Sequence, residues 1–386
     1  MINYESIIKE YGTPTYLYDI NTLIKRVEYL KSKLKGCNLV YAVKANTFIA
    51  KEIEKHVERF EICSPGEFEI CHKLGIDHQK MVISGVYKDF DTINYMISNF
   101  DDIGKFTIES VNQWKLLDEL TKKYNRHINV LIRLTSGNQF GVNEDDFRYI
   151  LENNNNELME IDGIEYFSGT QKHSIKKVNR EIDYLIEFSN IIEQEYNIRI
   201  KEIEYGPGLP IFYFQDDEFD EETFLTEVCE ATSKIKDKVV SLELGRSIAA
   251  SCGSYLTKVV DMKTNKNGNF TLVDGGIHHI VYYGQTMAMR IPYFDVYPKR
   301  KGELNTYNLY GSLCTINDIL VKNIQVNDLQ VGDVFVFKNV GAYSSTEGIS
   351  LFLSRDLPKI LLCHENGKID VVRDITKTST INFPNY

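Results

Sequence analysis

The sequence has few of the features that mark membrane, extracellular or nucleic-acid-binding proteins. No apolar run approaches the roughly 18 residues that a membrane-spanning helix needs. The seven cysteines are scattered, odd in number and without a Cys-x-x-Cys pair, which argues against a disulfide framework or a structural zinc site. The formal charge of -11, with no cluster of basic and aromatic residues, argues against a nucleic-acid partner.

The N-terminal residues also have little apolar character. Glu5, Lys9 and Glu10 stand where a signal peptide would need an apolar stretch. With the cysteine usage, this predicts a cytoplasmic protein that does not associate with membranes. The 386 residues are 43% hydrophobic and 26% charged, as in globular proteins, and their number predicts two domains or one large α/β barrel with an appendage.

Short apolar, β-branched or aromatic runs alternate with segments of helical periodicity along the first 250 residues. The runs are eight in number, at 38–45, 59–64, 81–85, 106–110, 128–134, 161–167, 200–206 and 240–245. Eight strands that alternate with helices predict a TIM-like (β/α)8 barrel, of the α/β class. We expect this barrel to occupy residues 26–250.

The pattern changes after about residue 250, where helical periodicity is nearly absent. Strands are predicted at 255–262, 270–273, 307–310, 334–337, 359–363 and 369–372, with hairpin-like turns at 265–268 and 365–368. This predicts a C-terminal all-β domain over residues 251–386. The N-terminal segment 1–25, with a strand at 15–19, is expected to join that domain.

The ends of the predicted barrel strands carry polar and glycine residues, and a barrel places its chemistry there. The first strand ends on Lys44, which by itself would be an ordinary strand-end lysine reaching into solvent. The Gly-Pro-Gly turn at 206–208 and the Gly-Arg-Ser turn at 245–247 provide backbone N–H groups and a guanidinium for a phosphate. Either turn alone would be unremarkable in a barrel. A phosphate site opposite a lysine favours pyridoxal 5'-phosphate, which bonds to lysine amines.

Glu243 has a place in this hypothesis. A carboxylate beside the pyridine nitrogen keeps that nitrogen protonated and makes the ring a stronger electron acceptor. The simpler alternative is a strand-end glutamate that pairs with a neighbouring cation. The residues alone leave both interpretations open.

The chain also carries an ordered series of short motifs. They stand at 11–14 (YGTP), 41–46 (YAVKAN), 64–67 (SPGE), 140–141 (FG), 206–208 (GPG), 243–246 (ELGR), 274–276 (DGG), 311–314 (GSLC) and 341–343 (GAY). In order and spacing, nearly end to end, this series resembles the pyridoxal-phosphate-dependent decarboxylases of the alanine-racemase fold type, which include the diaminopimelate, ornithine and arginine decarboxylases. The most similar subgroup contains a glutamyl-acyl-carrier-protein decarboxylase of butirosin biosynthesis.

The resemblance implies roles for individual residues. Lys44 would form the Schiff base, Glu243 would face the pyridine nitrogen, and Cys314 would donate a proton to the substrate carbanion from the second subunit of a homodimer. Cofactor contacts are implied for Lys44, Glu61, Phe167, Thr170, Gly208, Glu243, Arg246 and Tyr343. No metal is implied. Without the resemblance, Cys314 would be read as a small buried apolar residue.

The chain departs from the family pattern at the cofactor ring and at the substrate end. Phe167 stands where the family usually has a histidine stacked on the cofactor, and Thr170 replaces a serine. Thr315 follows Cys314 where an acidic residue usually grips a distal amine. No arginine follows Asp274 closely, since Tyr282 stands there and the first basic side chain is Arg290.

Two adjacent histidines, His278 and His279, add a further substrate candidate. On a strand they would point to opposite faces, so we expect one of them to contact the cofactor mouth or the substrate rather than a metal. The expected substrate contacts are therefore Asp274, His278, Tyr282, Arg290 and Thr315.

Four functions are compatible with these residues. The first is an α-decarboxylase of an L-amino acid with a neutral or carrier-linked distal end. The second is a diaminopimelate decarboxylase with an atypical distal pocket, and the third is an amino-acid racemase of the same fold. The fourth is a non-catalytic regulatory relative, against which the intact Lys44, Glu243, Arg246 and Cys314 argue.

Overall fold

The computed structural model describes residues 2–285 and 287–384. Within them the chain forms two compact units, each built from more than one segment. The first, which we call the barrel unit, contains residues 26–210 and 220–248. The second, the sheet unit, contains the chain up to Lys25, the segment Ile211–Phe219 and the described residues from Ala249 onward.

The prediction of a continuous barrel domain at 26–250 differs from the structure at Ile211–Phe219, because this segment forms hydrogen bonds with residues of the sheet unit. Phe214 forms an isolated antiparallel bridge with Pro292. Nδ2 of Asn339 donates a 2.8 Å hydrogen bond to the carbonyl oxygen of Phe212. These partners are distant along the chain, so no local sequence pattern signals them.

The eight predicted barrel strands close into a parallel barrel. After β1 (Thr15–Asp19), which belongs to the sheet unit, they are β2 (Cys37–Ala42), β3 (Arg59–Ile62), β4 (Met81–Ile83), β5 (Lys105–Ile108), β6 (Ile128–Leu134), β7 (Met159–Phe167), β8 (Glu202–Gly206) and β9 (Val239–Leu244). Pairing of β9 with β2, with Glu243 opposite Val40, completes the circle. Parallel strands are covered on both faces, which explains their continuous apolar runs. The barrel prediction is confirmed.

Helices lie between the barrel strands, and a few frame the sheet unit. In chain order they are α1 (Tyr4–Tyr11), α2 (Ile20–Lys33), α3 (Ala50–Ile53), α4 (Pro65–Lys73), α5 (Phe90–Asn99), α6 (Val111–Tyr124), α7 (Glu144–Asn153), α8 (Ile175–Tyr196), α9 (Glu221–Thr232), α10 (Arg246–Ala249) and α11 (Ser379–Asn382). Their ends have local causes. The Ser64 hydroxyl accepts from the N–H of Glu67 at the start of α4, and Asn125 in the left-handed conformation ends α6.

The sheet unit is built on a nine-stranded sheet. Besides β1, its strands are β10 (Gly253–Asn265), β11 (Gly268–Val273), β12 (Phe294–Tyr297), β13 (Leu304–Tyr310), β14 (Ile319–Asn327), β15 (Val334–Lys338), β16 (Lys359–Cys363) and β17 (Ile369–Arg373). The order is β14-β13-β11-β10-β1-β16-β17, and β15 pairs with β10 and β12. Ile7 of α1 packs against Leu17 of β1 and Leu256 of β10 in a buried cluster.

Two of these strands, β12 and β14, were not predicted. The four residues of β12 are all only half-buried and contain Asp295, so they show no buried apolar face. In β14, the polar pair Lys322-Asn323 interrupts the apolar alternation, and Asn323 has a positive φ of 56°. Their pairing with β15 and β13, respectively, overrides these weak local signals.

The expectation that His278 and His279 lie on a strand is wrong. β11 ends at Val273, and the two histidines lie in a turn, where the N–H of His279 donates to the carbonyl oxygen of Gly276 at 3.0 Å. Their ring centroids are 3.8 Å apart, so the rings lie together rather than on opposite faces. Two consecutive glycines, Gly275 and Gly276, precede the turn and make continuation of the strand unfavourable.

Candidate active site

Lys44 lies just beyond the carboxyl end of β2, in a single 3-10 turn at Val43–Ala45. Its Nζ is 2.9 Å and 2.8 Å from the two carboxylate oxygens of Glu61 on β3 and 3.3 Å from Sγ of Cys63. The pairing of Ala42 with Glu61 across β2 and β3 produces this proximity. The structure therefore brings together two predicted cofactor residues, Lys44 and Glu61, at the barrel mouth.

The charges of this group shift the pKa values of Glu61 and Cys63 in opposite directions. Burial would raise the pKa of Glu61, but the Lys44 ammonium and the hydrogen bonds from Lys44 and Cys63 bring the pKa below its ordinary value. Burial and the Glu61 charge raise the pKa of Cys63 well above its usual value, so Cys63 stays a thiol. Glu61 is thus an anion that is placed to exchange a proton with Lys44.

Glu243 is on β9, the neighbour of β2 in the barrel. Among the described residues, its Oε1 atom is buried and has no hydrogen-bond partner. Burial and the charges of Glu61, Glu165 and Glu204 raise the pKa of Glu243 well above its usual value, against the opposing effect of Lys44. A buried, unsatisfied carboxyl oxygen at the barrel mouth suits a ligand that offers an N–H group.

An ionic cluster inside the barrel was not predicted as part of the site. Nη1 of Arg133, on β6, is 3.2 Å from Glu109 and 3.3 Å from Glu165. Burial raises the pKa of Glu165 to about 8, with Arg133 opposing and nearby carboxylates adding to the rise. An arginine within the apolar run 128–134 was the available signal, since such a residue needs a buried carboxylate partner.

The ends of β7 and β8 form two loops that touch. Phe167 is the last residue of β7 and pairs with Gly206, where an added Cβ would lie 2.2 Å from the Phe167 ring. Gly208 has a positive φ of 59°, and an added Cβ would lie 2.2 Å from the carbonyl oxygen of Gly169. Only glycine fits here without strain, and both Gly208 and Thr170 are partly exposed, so an anion can reach the backbone of these loops.

Arg246 follows β9 directly and begins α10. Its side chain is buried, in contrast to most surface arginines. Arg246, Gly208 and Thr170 all follow the carboxyl ends of barrel strands, which meet at one end of a barrel. The cofactor contacts predicted within the barrel unit therefore stand at a common mouth.

The loop that carries Cys314 belongs to the sheet unit. The buried Asp318 carboxylate accepts from the N–H of Leu313 at 2.7 Å and of Ile277 at 2.8 Å. Nη2 of Arg355 donates to the carbonyl oxygen of Ser312 at 2.8 Å. Cys314 itself is exposed. Asp318 thus organises a turn that presents the thiol at the surface of the described chain.

The predicted substrate residues of the sheet unit have diverse surroundings. The Asp274 carboxylate accepts from Thr13 at 2.5 Å and from Thr257 at 2.8 Å. The Tyr282 hydroxyl donates to the carbonyl oxygen of Lys338 at 2.8 Å. Asp274 and Tyr282 therefore have structural hydrogen bonds, whatever contact they make with a substrate.

Arg290 is paired within the sheet unit. Its guanidinium contacts Asp216 and Asp217, each at 2.7 Å, and lies over the Phe214 ring at 4.4 Å. Two aspartates compensate its charge, so this placement gives no support to a role in binding a substrate carboxylate. Thr315 lines a shallow groove with Asn317 and several apolar side chains.

The two histidines differ. His279 is satisfied, with Nδ1 3.0 Å from the Tyr255 hydroxyl and Nε2 2.8 Å from the carbonyl oxygen of Asp356. His278 is buried, and neither ring nitrogen has a hydrogen-bond partner in the described chain. Within residues 2–285 and 287–384, no three His, Cys, Asp or Glu side chains come together as metal ligands would. Tyr343, the remaining predicted cofactor contact, has a positive φ of 64° in the sheet unit.

These residues fit pyridoxal 5'-phosphate. Lys44 offers an amine at the barrel mouth, the unsatisfied Oε1 of Glu243 suits the ring N–H, and the glycine-bounded backbone at Gly208 suits the phosphate. The family described as pyridoxal-dependent decarboxylase, C-terminal sheet domain, matches residues 15–341. The chain belongs to this decarboxylase family.

Individual relatives span nearly the whole chain. L-glutamyl-[BtrI acyl-carrier protein] decarboxylase of Niallia circulans is 25% identical over 399 residues, which cover 95% of this chain and 92% of the relative. The 2-[(L-alanin-3-ylcarbamoyl)methyl]-2-hydroxybutanedioate decarboxylase of Staphylococcus aureus is 25% identical over 395 residues, covering 90% and 93%. The crystal structure of diaminopimelate decarboxylase from Helicobacter pylori complexed with L-lysine has a TM-score of 0.86 at 23% identity, covering 98% of both chains.

The protein is thus a pyridoxal-phosphate-dependent amino-acid decarboxylase, and its side chains have definable tasks. The bound cofactor supplies a carbon that bonds to an amine and a ring that withdraws electrons from the substrate α-carbon. Glu61 is placed to accept the proton that Nζ of Lys44 releases. Glu243 would hold a proton at the ring nitrogen.

Among the described helices, none combines the length and the apolar character that crossing a membrane requires.

Proposed function

We propose that the protein removes the α-carboxyl group of an L-amino acid whose distal end is neutral or attached to a carrier. The supporting observation is the lack of a basic side chain in the described lining of the cavity beside Tyr282 and of the groove beside Thr315. Tyr282 lines a cavity of about 420 Å³ in the sheet unit. Among the described residues that line this cavity, Glu347 is charged, and none is a lysine or an arginine. Thr315 lies in the adjoining groove, with which this cavity shares Ile277 and Ile349.

The physical argument concerns unpaired charge. A distal carboxylate that is buried against Tyr282, or a distal ammonium against Thr315, would lose water without gaining a partner. Such a loss typically costs about 1–3 kcal/mol, which is roughly fivefold to 150-fold in selectivity. A neutral amide or a thioester has no such penalty. The relative from Niallia circulans acts on a glutamyl unit on a carrier protein, which agrees with this proposal.

Diaminopimelate decarboxylation is the second candidate, and Glu347 favours it. This side chain is exposed at the edge of the cavity and could pair with a distal ammonium. The distal carboxylate of diaminopimelate would still need a cation, and Arg290 is paired with Asp216 and Asp217. The candidate therefore explains one end of that substrate and not the other.

The test compares kcat/KM for meso-diaminopimelate, L-lysine and L-ornithine with values for glutamine and a glutamyl thioester of pantetheine. We expect the last two to be better substrates. A value for diaminopimelate of about 10⁴ M⁻¹s⁻¹ or above would restore the second candidate. Thr315→Glu should improve the diamino substrates, whereas Glu347→Gln should leave the neutral substrates unaffected and serves as the matched control.

We also propose that Cys314 donates a proton in the active site of a second subunit of a homodimer. The thiol is exposed, and Ile316, two residues further along the chain, is 88% exposed. Leu351 and Phe352, also exposed, line the groove beside Thr315. The seven free cysteines support a reducing compartment, and we assign the protein to the cytoplasm.

Mixed dimers test this arrangement. Lys44→Ala and Cys314→Ala should each be inactive, yet their mixture should regain part of the activity, because one hybrid site contains both intact residues. Mixing Lys44→Ala with itself after the same exchange treatment is the control. No recovery, when exchange of labelled subunits is demonstrated, would show that each site is built within one chain.

A further inference from the structure

A buried group of polar side chains lies behind the two loops that follow β7 and β8. We call it the Glu181 cluster, and its members are Ser168, Lys172, Glu181 and Tyr205. Glu181 projects from α8 and is 7% exposed, and Lys172 is 5% exposed. Buried charged side chains are costly unless they are paired, so each charge of this cluster requires an internal partner.

One carboxylate connects the members of this cluster. Oε2 of Glu181 accepts from Nζ of Lys172 at 2.8 Å and from the Tyr205 hydroxyl at 2.6 Å. Oε1 accepts from the Ser168 hydroxyl. Ser168 and Lys172 belong to the loop after β7, and Tyr205 belongs to β8, so Glu181 joins the two strand ends.

Lys172 extends the connection to the backbone of the second loop. Its N–H donates to the carbonyl oxygen of Gly208 at 2.9 Å, and its Nζ donates to the carbonyl oxygen of Gly206 at 3.1 Å. The two loops are already in tight contact, since Gly208 approaches Gly169 too closely for a Cβ. Lys172 therefore connects the two loops through its backbone and its ammonium group, and Glu181 holds the ammonium group in place.

We propose that Glu181 is a positioning residue that sets the geometry of the backbone cradle for the cofactor phosphate. Burial of Lys172 is tolerated because Glu181 compensates its charge, and removal of one partner leaves an uncompensated charge behind the loops. Movement of Lys172 toward solvent would break its hydrogen bonds to the carbonyl oxygens of Gly206 and Gly208 and remove their restraint on the second loop. The inference rests on the placement of the phosphate at Gly208 and Arg246.

The test measures phosphate recognition separately from cofactor chemistry. Dissociation constants for pyridoxal 5'-phosphate and for pyridoxal, which lacks the phosphate, are obtained by absorbance titration of the apoprotein. Glu181→Gln should weaken binding of pyridoxal 5'-phosphate by roughly tenfold or more, as expected for lost charge-assisted hydrogen bonds, and should leave pyridoxal binding unchanged. Glu187→Gln, the same change at an exposed position of α8, should alter neither constant.

Reference variants separate the possible outcomes. Arg246→Ala should also reduce the preference for the phosphorylated form. If Arg246→Ala reduces the preference for pyridoxal 5'-phosphate over pyridoxal and Glu181→Gln does not, the phosphate is correctly placed and the proposal for Glu181 is wrong. If neither variant reduces it, the phosphate lies elsewhere, and the proposal fails with that placement.

A milder variant keeps the test decisive if Glu181→Gln does not fold. Tyr205→Phe removes a single hydroxyl that donates to Oε2 of Glu181 and preserves the ring. It should produce a smaller loss, roughly twofold to tenfold, that is again confined to the phosphorylated form. An equal loss for both forms would indicate a merely structural role and would overturn the proposal.

Discussion

Replacement of Gly208 by alanine tests the phosphate cradle most directly. Gly208 has a φ of +59°, and its new Cβ would lie 2.2 Å from the carbonyl oxygen of Gly169, where ordinary contact begins at 3.4 Å. The obstructing atom belongs to the backbone and cannot rotate away. The loops after β7 and β8 must therefore separate by about 1 Å before alanine fits.

The magnitude follows from two contributions. A left-handed conformation costs an alanine about 1–2 kcal/mol relative to glycine. Separation of the loops also breaks the 2.9 Å hydrogen bond from the N–H of Lys172 to the carbonyl oxygen of Gly208, with a net cost of about 1 kcal/mol. The sum of about 2–3 kcal/mol is the expected decrease in the free energy of unfolding. Cofactor affinity should fall by roughly tenfold or more, because the separated loops lose a charge-assisted hydrogen bond to the phosphate.

The assay is equilibrium titration of the apoprotein with pyridoxal 5'-phosphate, with the melting temperature of the apoprotein measured in parallel. Gly75→Ala is the matched control. Gly75 has a similar φ of +65°, but nothing lies within 4 Å of its added Cβ. This variant should lower the melting temperature through the same backbone strain and leave cofactor affinity unchanged. Unchanged affinity in Gly208→Ala, at a comparable loss of stability, would refute the cradle.

Three further predictions concern the acid–base residues. Lys44→Ala should retain the fold and lose decarboxylation, and a borohydride-reducible cofactor adduct in this variant would identify a different lysine. Glu243→Gln should reduce kcat by roughly 10²-fold or more with a smaller change in cofactor affinity, and proportional losses would contradict its role at the ring nitrogen. Glu165 has a folded-state pKa of about 8, above its unfolded value of about 4.3, so its contribution to stability is complete below about pH 4 and is lost as pH rises to about 8. The melting temperature of Glu165→Gln should therefore decrease less between pH 5 and pH 8 than that of the unsubstituted protein. An equal decrease in both proteins would show that Glu165 does not titrate in that range.

The sequence by itself determined the (β/α)8 barrel of this protein. Eight buried parallel strands require continuous apolar runs, and these are visible without knowledge of any contact. The positions of Lys44, Gly208, Glu243 and Arg246 at or just after the ends of such runs were enough to predict a common site, because parallel barrel strands end together. A lysine opposite a phosphate cradle then favoured pyridoxal 5'-phosphate.

The tertiary structure alone decided which charges meet. That Arg133 pairs with Glu109, and that Glu181 joins Lys172 to Tyr205, follows from barrel register and helix packing. Such pairs join residues from different strands and helices, and their charge is compatible with burial only because the partner arrives from elsewhere in the chain. Local patterns report the conformation of a segment, whereas the compensation of a buried charge depends on which segments the fold brings together.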